Sequence, residues 1–248
     1  MGTVAGRGGR AGRVLSGLAV GVGCVLLLGG FVLAAVLYQP YTVPTGSMAP
    51  SVASGDRVLA ERIDGGDVRR GDVVVFRDAA WGEALMLKRV VGVGGDTVAC
   101  CAEDGLLTVN GTPVEEPYLD EEYAAAPVRF EAAVPEGELF LLGDDRTDSL
   151  DSRSLLDEAG AGTVPRDAVS GRVEATVWPP DRFGLLAAPG GFGDLPGGAS
   201  GSGPLRPIFW ATTSGALLIV VGAVLGRSAR RRAGTAPPRR ADAAGDAQ

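Results

Sequence analysis

Two long apolar runs dominate the pattern of hydrophobic and polar positions. Val14 to Leu37 contains no charged residue and is long enough to cross a hydrocarbon core of about 30 Å as a helix. A cleavable signal peptide has an apolar core of only about 7–15 residues, so this run predicts an uncleaved anchor. Ile208 to Leu225 is also uncharged. A buried core helix is the alternative for this second run, but the basic cluster that follows it favours a second span.

Between these runs, short apolar segments separated by Gly and Pro have the spacing of β-strands. In the last segment Val173, Ala175 and Val177 alternate with polar residues, which is the period of a half-buried strand. Asn110-Gly111 lies between two segments and predicts a tight hairpin. We therefore predict a mainly β middle region, with strands at 57–63, 73–76, 85–91, 106–109, 112–114, 138–142 and 172–178.

The same pattern gives the domain organisation. The segment before the second run is rich in Gly, Pro and Ser, a composition typical of a flexible tether. The predicted segments are an N-terminal tail at 1–13, a transmembrane helix at 14–37, a β-rich domain at 38–184, the tether at 185–207, a second transmembrane helix at 208–225 and a basic tail at 226–248.

Charge is distributed unevenly along the chain, whose formal net charge is −7. Arg7, Arg10 and Arg13 precede the first run, and six Arg against two Asp follow the second, while the middle holds 14 basic and 28 acidic residues. Basic flanks predict that both termini are cytoplasmic and that the middle lies outside the plasma membrane. The acidic excess argues against nucleic-acid binding.

The chain has no histidine, which excludes Ser-His-Asp and Cys-His hydrolases and His-ligated zinc sites. A serine nucleophile would need another base, and a lysine can serve only if burial lowers its pKa from about 10.4. Lys88 is the only lysine, and it lies within a segment that otherwise predicts a core strand. The alternative is an edge-strand charge that prevents aggregation.

A candidate nucleophile lies soon after the first apolar run. Ser47 follows a glycine in a segment bracketed by Pro44 and Pro50, and Gly46 permits the sharp backbone that would expose it. The Thr45 hydroxyl and the Ser47 amide could together stabilise an oxyanion. A polar loop without chemistry is the alternative.

Four segments resemble, in order, the motifs of bacterial type I signal peptidases. Residues 44–50 are similar to the serine box, 70–76 to the next box, 88–96 to the lysine box and 143–153 to the terminal box. The resemblance implies a coiled antiparallel β-sheet and a membrane-bound serine endopeptidase that cleaves signal peptides at Ala-x-Ala sites. Ser47 would be the nucleophile and Lys88 the general base, with no metal or cofactor.

The resemblance also implies roles in the terminal box. Ser149 would hydrogen-bond the lysine amine, Asp151 and Arg153 would form a supporting salt bridge, and Asp144 would interact with Arg153. Asp145 stands where the family usually has Asn. Its negative charge would raise the lysine pKa if it lay close to the amine.

Substrate recognition and partners follow from the same resemblance. Small apolar pockets would accept Ala at the first and third residues before the cut. The expected partners are signal-peptide-bearing preproteins, membrane lipid and, transiently, the secretion machinery. The residues expected to line the pockets are Tyr41, Val43, Pro44, Met48, Val52 and Leu87.

Other interpretations remain at this point. A catalytically silent membrane protein that binds preproteins would share most of these features. A β-lactamase-type enzyme needs Ser-x-x-Lys, but Pro50 occupies that spacing after Ser47. Cys100 and Cys101 lie in the predicted external region, where free thiols or pairing with another thiol are expected more often than a bond between neighbours.

Overall fold

The computed structural model describes residues 5–102, 105–120, 129–158 and 160–234 of the chain. Contacts divide it into two compact units. One unit contains Met1–Val36 and Pro204–Gln248, and the other is the continuous segment Leu37–Gly203. We describe each unit by itself.

The first unit consists of two helices, α1 at Ala5–Leu37 and α2 at Leu205–Gly234. Both are long and apolar enough to cross a membrane, over Val14–Leu37 and Leu205–Ser228. The two predicted runs are therefore helical, and the second begins earlier than expected. Many large apolar side chains on both helices are exposed.

Small residues allow α1 and α2 to approach closely. A Cβ atom added at Gly23 would lie 2.7 Å from the Gly215 carbonyl oxygen, so neither helix has room for a larger residue there. The Ser16 hydroxyl donates a 2.7 Å hydrogen bond to the Gly222 carbonyl. Close backbone approach through glycine is the usual mode of helix packing in membranes.

The second unit is built mainly from antiparallel β-sheet, which confirms the predicted fold class. Its larger sheet has the order β1-β2-β11-β3-β4-β9-β10, with β12 paired to β11. The bounds of these strands are β1 Tyr38–Thr42, β2 Arg57–Glu61, β3 Val73–Phe76, β4 Met86–Val93, β9 Glu138–Leu142, β10 Val164–Pro165, β11 Val169–Trp178 and β12 Gly184–Leu185.

A smaller sheet of the order β7-β6-β5-β8 packs beside it through a shared apolar cluster. Asn110 and Gly111 both have positive φ and join two of its strands, as the Asn-Gly signal predicted. The bounds are β5 Thr97–Cys100, β6 Leu107–Val109, β7 Thr112–Val114 and β8 Phe130–Ala133.

Every predicted strand is present, with ends shifted by no more than three residues. The alternation expected in β11 holds for Val173 and Ala175, which are buried. It fails near the end of the strand, where Thr176 is buried and Val177 is only partly buried, and the register with β2 shifts both before Ala175 and after Thr176. Such an irregularity turns a side chain to the other face of the sheet.

Residues 186–203, which we call the strap, differ from the expected flexible tether. Phe192 is fully buried in the core shared by the two sheets. The Ser200 hydroxyl donates to the Asp72 carboxylate at 2.8 Å, and Arg70 Nη1 donates to the Pro196 carbonyl at 2.8 Å. An apolar anchor and these polar contacts hold a Gly- and Pro-rich segment against the domain.

Candidate active site

Ser47 and Lys88 meet at the surface of the larger sheet. Lys88 Nζ donates a 2.6 Å hydrogen bond to Ser47 Oγ, across 41 positions of sequence. Lys88 lies in β4, opposite Val74 of β3, and its side chain is only 2% exposed. A lysine and a serine in this geometry have the arrangement that proton transfer from hydroxyl to amine requires.

Local packing presents Ser47 to its partner. The loop after β1 turns tightly, with the Ala49 amide donating to the Gly46 carbonyl at 2.8 Å. Met48 is 1% exposed and packs in an apolar cluster with Val43. The buried Met48 therefore fixes the backbone next to Ser47, whose Oγ lies 2.6 Å from Lys88 Nζ.

Burial lowers the pKa of Lys88 to about 8. Removal of the ammonium from water is the largest cause, and the Arg153 charge acts in the same direction. Asp151 and Asp144 oppose it, because their carboxylates favour the charged ammonium. A pKa of about 8 leaves a useful fraction of neutral amine at pH 7–8, whereas an ordinary lysine would have almost none.

The Asp151–Arg153 pair lies behind the lysine, as the resemblance implied. Arg153 Nη2 donates to Asp151 Oδ2 at 2.7 Å, and the Gly143 amide donates to the same oxygen at 3.1 Å. Asp151 is fully buried. The fixed carboxylate therefore sets part of the electrostatic environment of Lys88.

Asp144 pairs with a different arginine from the one expected. Its carboxylate accepts two hydrogen bonds from Arg89, at 2.8 and 2.6 Å, and both side chains are buried. The ring of Tyr118 lies 3.7 Å from the Arg89 guanidinium carbon. The expected contact of Asp144 with Arg153 is thus corrected, since β4 carries Arg89 on the face opposite Lys88 and directs it to Asp144.

Ser149 also differs from its expected role. Its Oγ is buried and has no hydrogen-bond partner among the described residues. A Cβ atom added at Gly143 would lie 2.0 Å from this oxygen and 2.5 Å from the Ser47 carbonyl oxygen. Ser149 therefore lies next to the nucleophile's backbone, but without the hydrogen bond to the Lys88 amine that the resemblance implied.

Asp145 is occupied in a turn. Its Oδ1 accepts hydrogen bonds from the Thr147 amide at 3.1 Å, the Thr147 hydroxyl at 2.7 Å and the Asp148 amide at 3.0 Å. Its own amide donates to the Ser47 carbonyl at 3.2 Å. The carboxylates that act on Lys88 are those of Asp151 and Asp144. The contacts of Asp145 are thus those of a turn residue rather than of a group at the Lys88 amine.

A mostly apolar cavity of about 290 Å³ opens beside the Ser47–Lys88 pair. Thr45 and Ser47 both line it. Val52 lies outside the lining, fully buried in the cluster behind Val43 and Met48. The other residues that the resemblance implied do line the cavity, namely Tyr41, Val43, Pro44, Met48 and Leu87.

Further lining residues were missed by the sequence reasoning. Trp81 contributes one wall, packs edge-to-face on Phe76 with ring centroids 5.3 Å apart, and has an indole N–H without a hydrogen-bond partner among the described residues. Leu85 and Leu150 lie on the lining and are exposed. In the sequence, Trp81 is an isolated Trp between two predicted strands, and Leu150 is an apolar residue inside the terminal box. These two features could have marked them as lining residues.

Within the described ranges, no group of three or more acidic, Cys or His side chains has the geometry of a metal site. Cys101 directly follows Cys100 at the end of β5, and their sulfur atoms lie next to each other. Cys100 is buried in the apolar cluster of the smaller sheet.

Comparison with known proteins identifies sequences and a structure to which this chain is similar. The signal peptidase family, peptidase S26, matches residues 16–178. Signal peptidase I of Mycobacterium tuberculosis is 33% identical over 214 residues, covering 62% of this chain and 72% of that protein. Signal peptidase I U of Bacillus subtilis is 33% identical over 158 residues, covering 60% of this chain and 80% of that protein. A crystal structure of a signal peptidase I from Enterococcus faecalis is 28% identical with a TM-score of 0.34, covering 42% of this chain and 94% of that one.

Proposed function

The chain belongs to the signal peptidase family, peptidase S26, and we propose that it removes signal peptides from exported preproteins with Ser47 as nucleophile and Lys88 as general base. The observation that carries this proposal is the 2.6 Å hydrogen bond between Lys88 Nζ and Ser47 Oγ in a site that lowers the lysine pKa to about 8. The family match and the names of the relatives support a serine endopeptidase that acts on preproteins.

The reaction begins with the neutral amine. Lys88 Nζ takes the proton of Ser47 Oγ as this oxygen attacks the scissile carbonyl carbon, and the resulting ammonium returns the proton to the leaving amine. A water molecule then attacks the acyl-enzyme, with Lys88 again as the base. Because Lys88 is buried, its charged form is disfavoured at the start of each cycle.

Two groups support the developing oxyanion in this proposal. The Thr45 hydroxyl and the Ser47 amide are close in sequence to the attacking oxygen, and both residues line the substrate cavity. Donors fixed before the reaction stabilise the charge without the reorganisation that water would need. Loss of one such donor typically lowers kcat by about 10²–10³-fold.

The cavity accounts for the small residues expected before the cut. Its deeper wall is formed by closely packed apolar side chains, including Val58 and Val75, which are almost fully buried. In an extended peptide, alternate side chains point to the same side. The first and third residues before the cut can therefore enter the cavity together, and small side chains such as Ala fit there.

The proposal is tested with the purified full-length chain and a preprotein that carries one Ala-x-Ala site. We expect cleavage directly after this site, established by N-terminal sequencing of the product. Ser47→Ala should abolish cleavage, whereas Ser170→Ala, which changes an exposed serine of β11, should retain it. Cleavage elsewhere, or undiminished cleavage by Ser47→Ala, would contradict the assignment, and an inactive native chain would favour a silent preprotein-binding protein.

We also propose that α1 and α2 anchor the chain in the plasma membrane, with both termini in the cytoplasm and residues 38–203 outside. The basic clusters beyond both apolar runs support this orientation, as does the acidic middle. An alkaline phosphatase fused after Gly203 should be active, and one fused after Arg232 inactive. Equal activity of both fusions would exclude two spans in this orientation.

A further inference from the structure

We propose that Leu85 and Leu150 form an apolar clamp that selects the middle residue of the Ala-x-Ala segment, the second residue before the cut. This inference rests on the proposed function and extends it to a position of the substrate that the buried pocket does not read. It predicts that the enzyme favours large apolar side chains at this position.

The first argument is the placement of the two leucines. Both line the cavity that contains Ser47 and Lys88, yet they are 42% and 59% exposed. Leu85 comes directly before β4, and Leu150 comes directly before the buried Asp151. Two separate loops thus each bring one leucine to the edge of the same cavity.

The second argument is that folding gains little from these side chains. Val58 and Val75 line the same cavity and are no more than 2% exposed, so they belong to the core. Leu85 and Leu150 leave much of their apolar surface in water, which a bound side chain would cover. Covering this apolar surface with an apolar side chain removes it from water and so favours binding.

The third argument is the geometry of an extended substrate. When the first and third side chains before the cut enter the cavity, the second points away from its floor. The exposed edge of the cavity is where that side chain passes, and this edge carries Leu85 and Leu150. Their apolar side chains favour an apolar occupant.

The test uses two peptides that are identical except for Leu or Ser at the middle position of Ala-x-Ala. The ratio of their kcat/KM values is measured for the full-length chain, for Leu150→Ser and for Leu85→Ser. Leu185→Ser is the matched control, because Leu185 is 51% exposed but lies outside the cavity lining. The native chain should have a kcat/KM for the Leu peptide about tenfold higher than that for the Ser peptide. This ratio corresponds to a modest fraction of the free energy of transferring a leucine side chain out of water.

In Leu150→Ser and Leu85→Ser this preference should fall to about twofold, whereas Leu185→Ser should keep both the preference and the native activity. A native chain that cleaves both peptides equally would overturn the clamp, as would clamp variants that keep the full preference. If Leu150→Ser lost activity on both peptides, the ratio for Leu85→Ser decides. Failure of the native chain to cleave either peptide would instead contradict the proposed function.

Discussion

Asp151→Asn should move the acidic limb of the enzyme's pH profile to lower pH. Asp151 is the carboxylate that most favours the Lys88 ammonium, and the neutral amine is the form that acts as a base. Its removal also leaves the Arg153 charge without its partner, which disfavours the ammonium further. Both effects lower the lysine pKa, so the base becomes neutral at a lower pH.

The size of the shift follows from the contacts of Asp151. A neighbouring opposite charge typically moves a pKa by about 1–3 units. The Asp151 carboxylate accepts its hydrogen bonds from Arg153 and the Gly143 amide rather than from Lys88, so we expect the lower end of this range, about one unit. A pKa that falls from about 8 to about 7 raises the neutral fraction at pH 7 from about a tenth to about a half.

The assay is kcat/KM against pH on one signal-peptide substrate at fixed ionic strength, with each profile scaled to its own plateau. The acidic limb of this profile reports the base of the free enzyme. Scaled activity at pH 7 should rise about fivefold in Asp151→Asn. Asp145→Asn is the control and should leave the limb in place, because its carboxylate is bound within its own turn. An unmoved limb in Asp151→Asn, or one that moves to higher pH, would refute this electrostatic account.

Two further predictions concern stability, measured by chemical unfolding of the full-length chain in detergent. Asp144→Ala should lower the free energy of unfolding by about 3–5 kcal/mol, because it leaves the buried Arg89 charge unpaired. The control is Asp157→Ala, at an exposed residue, which should change this free energy by less than about 0.5 kcal/mol. Phe192→Ala should cost about 3–5 kcal/mol if the strap is part of the folded domain, and Phe183→Ala, at a side chain 64% exposed, should cost far less. If Asp144→Ala cost no more than Asp157→Ala, the buried ion pair with Arg89 would be contradicted. If Phe192→Ala cost no more than Phe183→Ala, the packing of the strap would be contradicted.

The regular elements were predictable because their side chains follow the period of the backbone. Val73–Phe76 and Glu138–Leu142 are compact apolar runs, and both are strands with the predicted ends. The first strand, Tyr38–Thr42, was missed because it contains a proline and polar residues. It lies at the end of the strand order, where proline is tolerated.

Long-range partners were harder to predict than the residues themselves. Asp144 could pair with several arginines, and the nearby Arg153 was expected, but the sheet brings Arg89 to it from 55 positions away. The strap was missed for a related reason. Its Gly and Pro content is typical of a flexible linker, and two buried apolar residues, Phe192 and Leu195, give no periodic signal in such a segment.

The Ser47–Lys88 pair is tested most directly by the catalytic rates of Ser47→Ala, Lys88→Ala and the double variant on one preprotein. If the two residues act as one unit, each single change should abolish turnover, and the double change should cost little more than either one. Lys88→Arg should be equally inactive, because a guanidinium cannot give up its proton at any useful pH. Substantial turnover by Lys88→Arg, or a double variant whose loss is the product of the two single losses, would contradict a nucleophile activated by this lysine.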